Sequence, residues 1–155
     1  MERHAFQDHI PDNYCFGCGS TNDHGLHLKS YWESEESVSA FLPHAHHSAG
    51  PRHVLNGGII ATVIDCHSIC TAIADHYRRE SRDIGSPPDI WCVTAAMSID
   101  YLAPAAIDKP LNLRARILET SGKKTRIACA AYSDTQECAR GEVLAIRVPP
   151  TWRSR

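Results

Sequence analysis

Residues 51–77 read PRHVLNGGIIATVIDCHSICTAIADHY, and the remaining segments are arranged most simply around them. Asn56 is a preferred N-cap residue, because its side-chain oxygen can accept an orphan amide hydrogen of a first helical turn. Beyond it, Ile59, Val63, Cys66, Cys70, Ile73 and Tyr77 recur at steps of three and four, with Ile60 and Ile64 beside them. That is helical spacing. At about 1.5 Å per residue the helix would run roughly 30 Å, the width of a small domain. One residue disturbs the pattern. Asp65 is a carboxylate among side chains that favour burial, and charges are seldom buried unless paired or put to use.

The 155 residues fit one domain, and a chain of this size buries roughly 68 to 70% of its unfolded surface, enough for a core without cross-links. Sixteen Lys and Arg nearly balance eighteen Asp and Glu, so the net charge of −2 offers nucleic acid no electrostatic footprint. The opening MERHAFQDHIPDNY lacks the apolar core of a secretory signal, and nowhere do 18 apolar residues run together. A cytoplasmic chain with no membrane partner is the expectation. Of seven cysteines, Cys66, Cys70, Cys92 and Cys129 fall inside helix or strand patterns, where a free thiol behaves as a small hydrophobe. A reducing compartment fits that usage.

Residues 1–14 are polar and aperiodic and read as an extended or poorly ordered arm. In the following CFGCGSTNDHGLHL, Cys15, Cys18, His24 and His27 have the spacing C-x2-C-x5-H-x2-H of a compressed zinc site. Thirteen residues leave little chain to wrap an ion, so a glycine-rich turn with no metal is the preferred reading. Leu26, Leu28 and Trp32 then alternate with polar residues, and Val38, Ala40 and Leu42 do so after ESEES, which predicts a hairpin with those residues inward. His44, His46, His47 and His53 fall in a Pro- and Gly-containing loop. Without an acidic or cysteine companion they read as solvated rather than metal-binding.

After a charged linker ending in Pro87 and Pro88, residues 90–101 show a strict period of two: Trp91, Val93, Ala95, Met97, Ile99 and Tyr101 against Cys92, Thr94, Ala96, Ser98 and Asp100. The odd set is expected to pack on the helix. Three more strands follow at 111–118, 124–134 and 137–148, the first with Leu111, Leu113, Ala115 and Ile117 inward, and residues 149–155 form a tail. Two strands, one long apolar helix and four strands joined by short turns predict an α+β domain over 15–148, an antiparallel sheet of five to six strands wrapped round the helix. This is the hotdog arrangement. The first and third strand regions carry too little charge to guard a free edge, so pairing with a second chain is expected.

Over residues 15–148 the motifs resemble those of hotdog acyl-CoA thioesterases of the PaaI and 4-hydroxybenzoyl-CoA thioesterase type. The resemblance rests on CFGCG…N…GLHL, on NGGIIATVID beside the family's HGG-x-I-A-T-x-x-D, and on VTAAMSIDYLAPA beside its threonine-bearing strand. It implies an acyl-CoA thioesterase in which Asp65 is nucleophile or base, the Gly57 amide polarises the thioester carbonyl and Thr94 positions water or substrate. CoA enters as part of the substrate, and no other cofactor is implied. The family's histidine is Asn56 here, which keeps the cap but loses the ring; His53 or His67 would have to compensate. Gly58 completes the diglycine helix mouth, where the pair could instead serve close packing. Lys123, Lys124 and Arg126, at a turn, are candidate contacts for CoA phosphates, although exposed turn lysines are usually just solvated.

An unsatisfied amide at a helix N-terminus suits the oxyanion of thioester hydrolysis. Eight residues separate Gly57 from Asp65, about 12 Å along a helix and too far for both to touch one carbonyl. A continuous helix would therefore require Gly57 of one subunit to meet Asp65 of another, in a homodimer that could pair further into a tetramer. Other readings stay open. Asp65 could be a buried acid bonded to Thr62 or Ser68, and Thr94 an ordinary strand residue. The cleft could bind or sense acyl-CoA without turnover, or hydrate or dehydrate acyl thioesters, although the spacing does not match the pattern of that last family.

Overall fold

The structure, a computed structural model, describes residues 3–154. One helix, α1 (Gly57–Arg79), lies against a sheet of six antiparallel strands: β1 (Ser30–Glu33), β2 (Glu36–Phe41), β3 (Trp91–Tyr101), β4 (Leu111–Ser121), β5 (Lys124–Ser133) and β6 (Gln136–Val148). Their spatial order is β1-β2-β4-β5-β6-β3. Short hairpins join β4 to β5 and β5 to β6, while β3 crosses over to lie beside β6. The expected α+β hotdog architecture is the observed one.

By length and mean hydropathy (1.5) α1 could cross a membrane, but 61% of that stretch is buried within the fold. Fourteen of its 23 residues are buried, because the sheet curls round it and leaves it few polar positions. Val63, Ile64, Cys70 and Ile73 meet Leu111, Leu113, Ile127 and Val143 in one continuous core. The alternation read for β4 holds at Leu111, Leu113 and Ala115, each buried, with Ile117 half-buried.

Four expectations change. The first fourteen residues do not form a loose arm over their described part: Ala5, Phe6 and Ile10 are buried in the core, and the Gln7 side chain bonds Ser30 through both its nitrogen and its oxygen. In β2 the inward residues are Ser37, Ser39 and Phe41, one position out of step with the expected Val38, Ala40 and Leu42. A one-residue slip turns every side chain to the other face. The reason lies in α1, whose His67 is fully buried and needs partners: Ser30 Oγ stands 2.8 Å from its Nδ1 and Ser37 Oγ 3.2 Å from its Nε2. In the histidine loop, His47 is buried beneath Phe41, and its Nδ1 accepts from the His44 amide at 3.0 Å.

The fourth change concerns β3. Its register against β6 jumps between Thr94 and Ala96, a β-bulge. Before the bulge the even residues Cys92 and Thr94 face α1; after it the odd residues Ile99 and Tyr101 do. The expected phase, odd residues toward the helix, holds only in the second half. Among the described residues β3 pairs with β6 alone, so its other edge is free, as is that of β1.

Candidate active site

Asp65 projects from the middle of α1 toward β3, where Thr94 Oγ1 donates to its Oδ1 at 2.5 Å. The bulge is what brings this hydroxyl round. Burial raises the Asp65 carboxyl above its ordinary value, and the Thr94 hydrogen bond opposes part of that shift. Beside the pair lies a mostly apolar cleft of about 210 Å³, walled by Cys15, Ile69, Ile73, Trp91 and Val93. Neither Thr62 nor Ser68 holds the carboxylate, for the Thr62 hydroxyl donates to the Gly58 carbonyl and Ser68 is buried without a partner.

At the head of α1, Asn56 acts as the N-cap. Its Oδ1 accepts from the Gly58 amide at 2.7 Å and the Ile59 amide at 3.3 Å. The Gly57 amide, first of the helix, has no hydrogen-bond partner among the described residues. Such an amide, at the positive end of the helix dipole, is a preorganised donor for a developing oxyanion. Gly58 has already spent its own. Tyr101 closes over the same turn: its hydroxyl donates to the Gly57 carbonyl at 2.7 Å, and a Cβ on Gly57 would stand 3.3 Å from the tyrosine ring.

The structure unites Asp65 with Thr94, and Gly57 with Asn56, but keeps the two pairs apart along a continuous α1. His67 is not a substrate contact. It lies buried in the Ser30, Ser37 and Thr71 network, its imidazole pushed down to about 4 by burial. Nor can it replace the family's ring at Asn56. Lys123, Lys124 and Arg126 sit on or beside the β4–β5 hairpin; between them Thr125 turns inward to His76, so Lys124 and Arg126 point out of the other face of the sheet. Arg126 is held there by Glu142 at 2.6 Å and Glu119 at 3.6 Å. A larger trough on that outer face, about 530 Å³, is lined by such charges, among them Arg114 paired with Glu36, and touches neither Asp65 nor Gly57.

Sequence reasoning missed Tyr101 as the clamp on the helix mouth, although its place on the odd face of β3 was a signal. It also missed that Cys15 and Cys18 border the Asp65 cleft, since nothing local to CFGCG says what that loop packs against.

The family model of the thioesterase superfamily matches residues 53–139. Among solved structures, a thioesterase superfamily protein from Shewanella loihica PV-4 shares 34% identity, the match covering 83% of this chain and 96% of that one, with a TM-score of 0.64. The PaaI protein of the phenylacetic acid degradation operon of E. coli is 13% identical over 80% of this chain and 81% of its own, with a TM-score of 0.65. A phenylacetic acid degradation-related protein from Ralstonia eutropha JMP134 is 14% identical over 78% and 85%, with a TM-score of 0.62. The last two likenesses concern the fold alone. No curated protein matches the chain in sequence. The match over residues 53–139 and the 34% identity across most of both chains show that this hotdog chain belongs to the thioesterase superfamily.

Proposed function

We propose that the chain is a cytoplasmic acyl-CoA thioesterase that works as a homodimer. The observation that carries this reading is the Asp65 carboxylate, poorly hydrated at an apolar cleft and held by the Thr94 hydroxyl. Hydrolysis needs a group to attack the thioester carbon or to take a proton from the attacking water, and a donor for the charge that gathers on the carbonyl oxygen. Asp65 serves the first need and the free Gly57 amide the second. One such donor is worth about 2.7 to 4 kcal/mol of barrier.

Within one chain these groups stand eight residues apart on one helix, about 12 Å along its axis. The working site therefore takes Gly57 from one protomer and Asp65 from its partner. The free edge of β3 supports this: Met97, Tyr101 and Leu102 are 41%, 54% and 47% exposed along it, and an open edge with a single charge, Asp100, favours strand pairing. Asn56 in the place of the family's histidine favours a second reading, binding of acyl-CoA without turnover.

The test is a panel of aryl-, short- and long-chain acyl-CoA thioesters with wild type and Asp65→Asn. Turnover by wild type and its collapse in the variant is the expected result. Undiminished turnover in Asp65→Asn removes Asp65 from the chemistry, and tight CoA binding with no turnover by wild type selects the second reading.

A further inference from the structure

Four sulfur atoms from two segments distant in sequence converge beside Asp65. Cys15 and Cys18 come from the loop CFGCG, and Cys66 and Cys70 from successive turns of α1, where a step of four residues puts both on one helix face. Cys15 Sγ is 3.6 Å from Cys66 Sγ, and Cys18 Sγ is 3.7 Å from Cys70 Sγ. The sulfurs of Cys15, Cys18 and Cys66 all lie within 4.8 Å of one another, while Cys70 stands outside that mutual spacing and joins the group through Cys18. All four thiols are free.

We propose that Cys15, Cys18, Cys66 and Cys70 form a tetrathiolate site for one divalent metal ion, zinc by its chemistry, that fastens the N-terminal loop to the central helix. The ligand types and spacings are those of structural zinc sites, a C-x2-C pair on a tight turn and a second pair one turn apart on a helix. Magnitudes agree as well. A tetrahedron with zinc–sulfur bonds of about 2.3 Å has sulfur–sulfur edges of about 3.8 Å. The 3.6 and 3.7 Å pairs match two opposite edges of that tetrahedron, and binding would draw the Cys70 sulfur in toward Cys15 and Cys66 to complete it. An iron–sulfur cluster holds its cysteines farther apart, with bridging sulfides and several irons between them, so the close spacing favours a single ion.

The loop is shaped around these sulfurs. A Cβ at Gly17 would lie 2.2 Å from Cys66 Sγ, and one at Gly19 would lie 2.3 Å from the Cys15 nitrogen and 2.4 Å from the Asn13 oxygen. The Gly19 amide closes the turn on the Cys15 carbonyl at 2.8 Å, and Asn13 Nδ2 donates to Cys18 Sγ at 3.7 Å, an outer partner of the kind that orients metal ligands. Cys18, Cys66 and Cys70 are buried, while Cys15 is half-buried at the cleft and leaves the ion a way in. His24 and His27, which the sequence spacing offered as partners for Cys15 and Cys18, are exposed, and His27 Nε2 lies 2.6 Å from the Asn22 carbonyl oxygen. The helix supplies the second pair instead.

On binding, each of the four thiols gives up its proton and no electron moves. The ion pins α1 at Cys66, next to Asp65, and so sets the rotation of the helix that carries the carboxylate. Binding does not depend on thioester turnover, so the test stands apart from that of the enzyme.

Protein purified under reducing conditions without chelator is assayed for metal, then stripped and titrated with Co2+. About one zinc per chain is expected, with the charge-transfer and d–d bands of a tetrahedral cobalt tetrathiolate. Cys18→Ser should lose the zinc and those bands. Cys15→His, at the half-buried ligand, should keep an ion but show the altered bands of a three-sulfur, one-nitrogen set. Cys129→Ser, a buried thiol outside the cluster, should behave as wild type. Folded, reduced wild type with less than about a tenth of an equivalent of zinc and no tetrathiolate bands overturns the site. So does metal content that survives Cys18→Ser, or a Cys15–Cys66 or Cys18–Cys70 disulfide mapped in place of the ion.

Discussion

Thr94 Oγ1 donates to Asp65 Oδ1 at 2.5 Å, tying an edge strand to the middle of the central helix. A hydrogen bond to a charged group is worth about 1.5 to 3 kcal/mol, and each 1.4 kcal/mol is tenfold in rate. Thr94→Val, nearly isosteric but without the hydroxyl, should lower kcat by roughly ten- to a hundredfold, while Thr94→Ser should stay within a few-fold of wild type. Steady-state hydrolysis of the best acyl-CoA substrate measures both.

The Tyr101 hydroxyl steadies the helix mouth through the Gly57 carbonyl. Tyr101→Phe keeps the ring over Gly57 but loses that bond, and should cost roughly 0.5 to 1 kcal/mol of stability in urea denaturation. Gly57→Ala adds a Cβ 3.3 Å from the ring, so the tyrosine must shift by a few tenths of an ångström. If the clamp matters, the two changes together should cost less than the sum of their separate effects.

Asn56 offers one oxygen to two amides. Asn56→Ala should destabilise the fold by about 1 kcal/mol, whereas Asn56→Asp and Asn56→Ser should cost little, because either can still cap. Chemical denaturation at fixed pH gives the comparison.

Acid should loosen the far end of α1. His76 is buried, with Nε2 3.3 Å from Thr125 Oγ1, and burial followed by the charge of Arg147 holds its imidazole below the usual 6.5; Arg79 adds to this, and Asp75 and Glu80 oppose it. A histidine depressed in the fold binds its proton more readily when unfolded. Its contribution is therefore complete above pH 6.5 and is lost as the pH falls from there toward its lower folded value. Denaturation midpoints from pH 8 to 5.5 should fall more steeply for wild type than for His76→Gln. Equal slopes would show that His76 does not titrate differently on folding.

The central helix was legible because its apolar residues recur at three- and four-residue steps and Asn56 marks its start, and the β4–β5 and β5–β6 hairpins followed from turns at SGKK and SDTQE. The face of β2 was not, because its inward residues are serines whose value depends on His67, a helix residue read as a site candidate. The face of β3 was half legible, since one extra residue at the bulge reverses the alternation midway and turns Thr94 toward Asp65. Cys66 and Cys70 looked like small hydrophobes while they were seen only as part of a helical stripe. Their meeting with Cys15 and Cys18 is a long-range contact that no local pattern contains.

The claim that one protomer's Gly57 serves its partner's Asp65 can be tested by subunit complementation. Proline fits the first position of a helix and removes the amide hydrogen, and its ring asks of Tyr101 the same small shift as an alanine Cβ, so Gly57→Pro should fold while losing about a hundred- to a thousandfold in rate, with Gly57→Ala as the control that keeps the amide. Asp65→Asn should be inactive. A purified dimer of one chain of each kind contains one intact pairing of Gly57 with Asp65 and one doubly broken pairing, and should recover about half of the wild-type activity. A mixed dimer no more active than its parents would contradict the shared site.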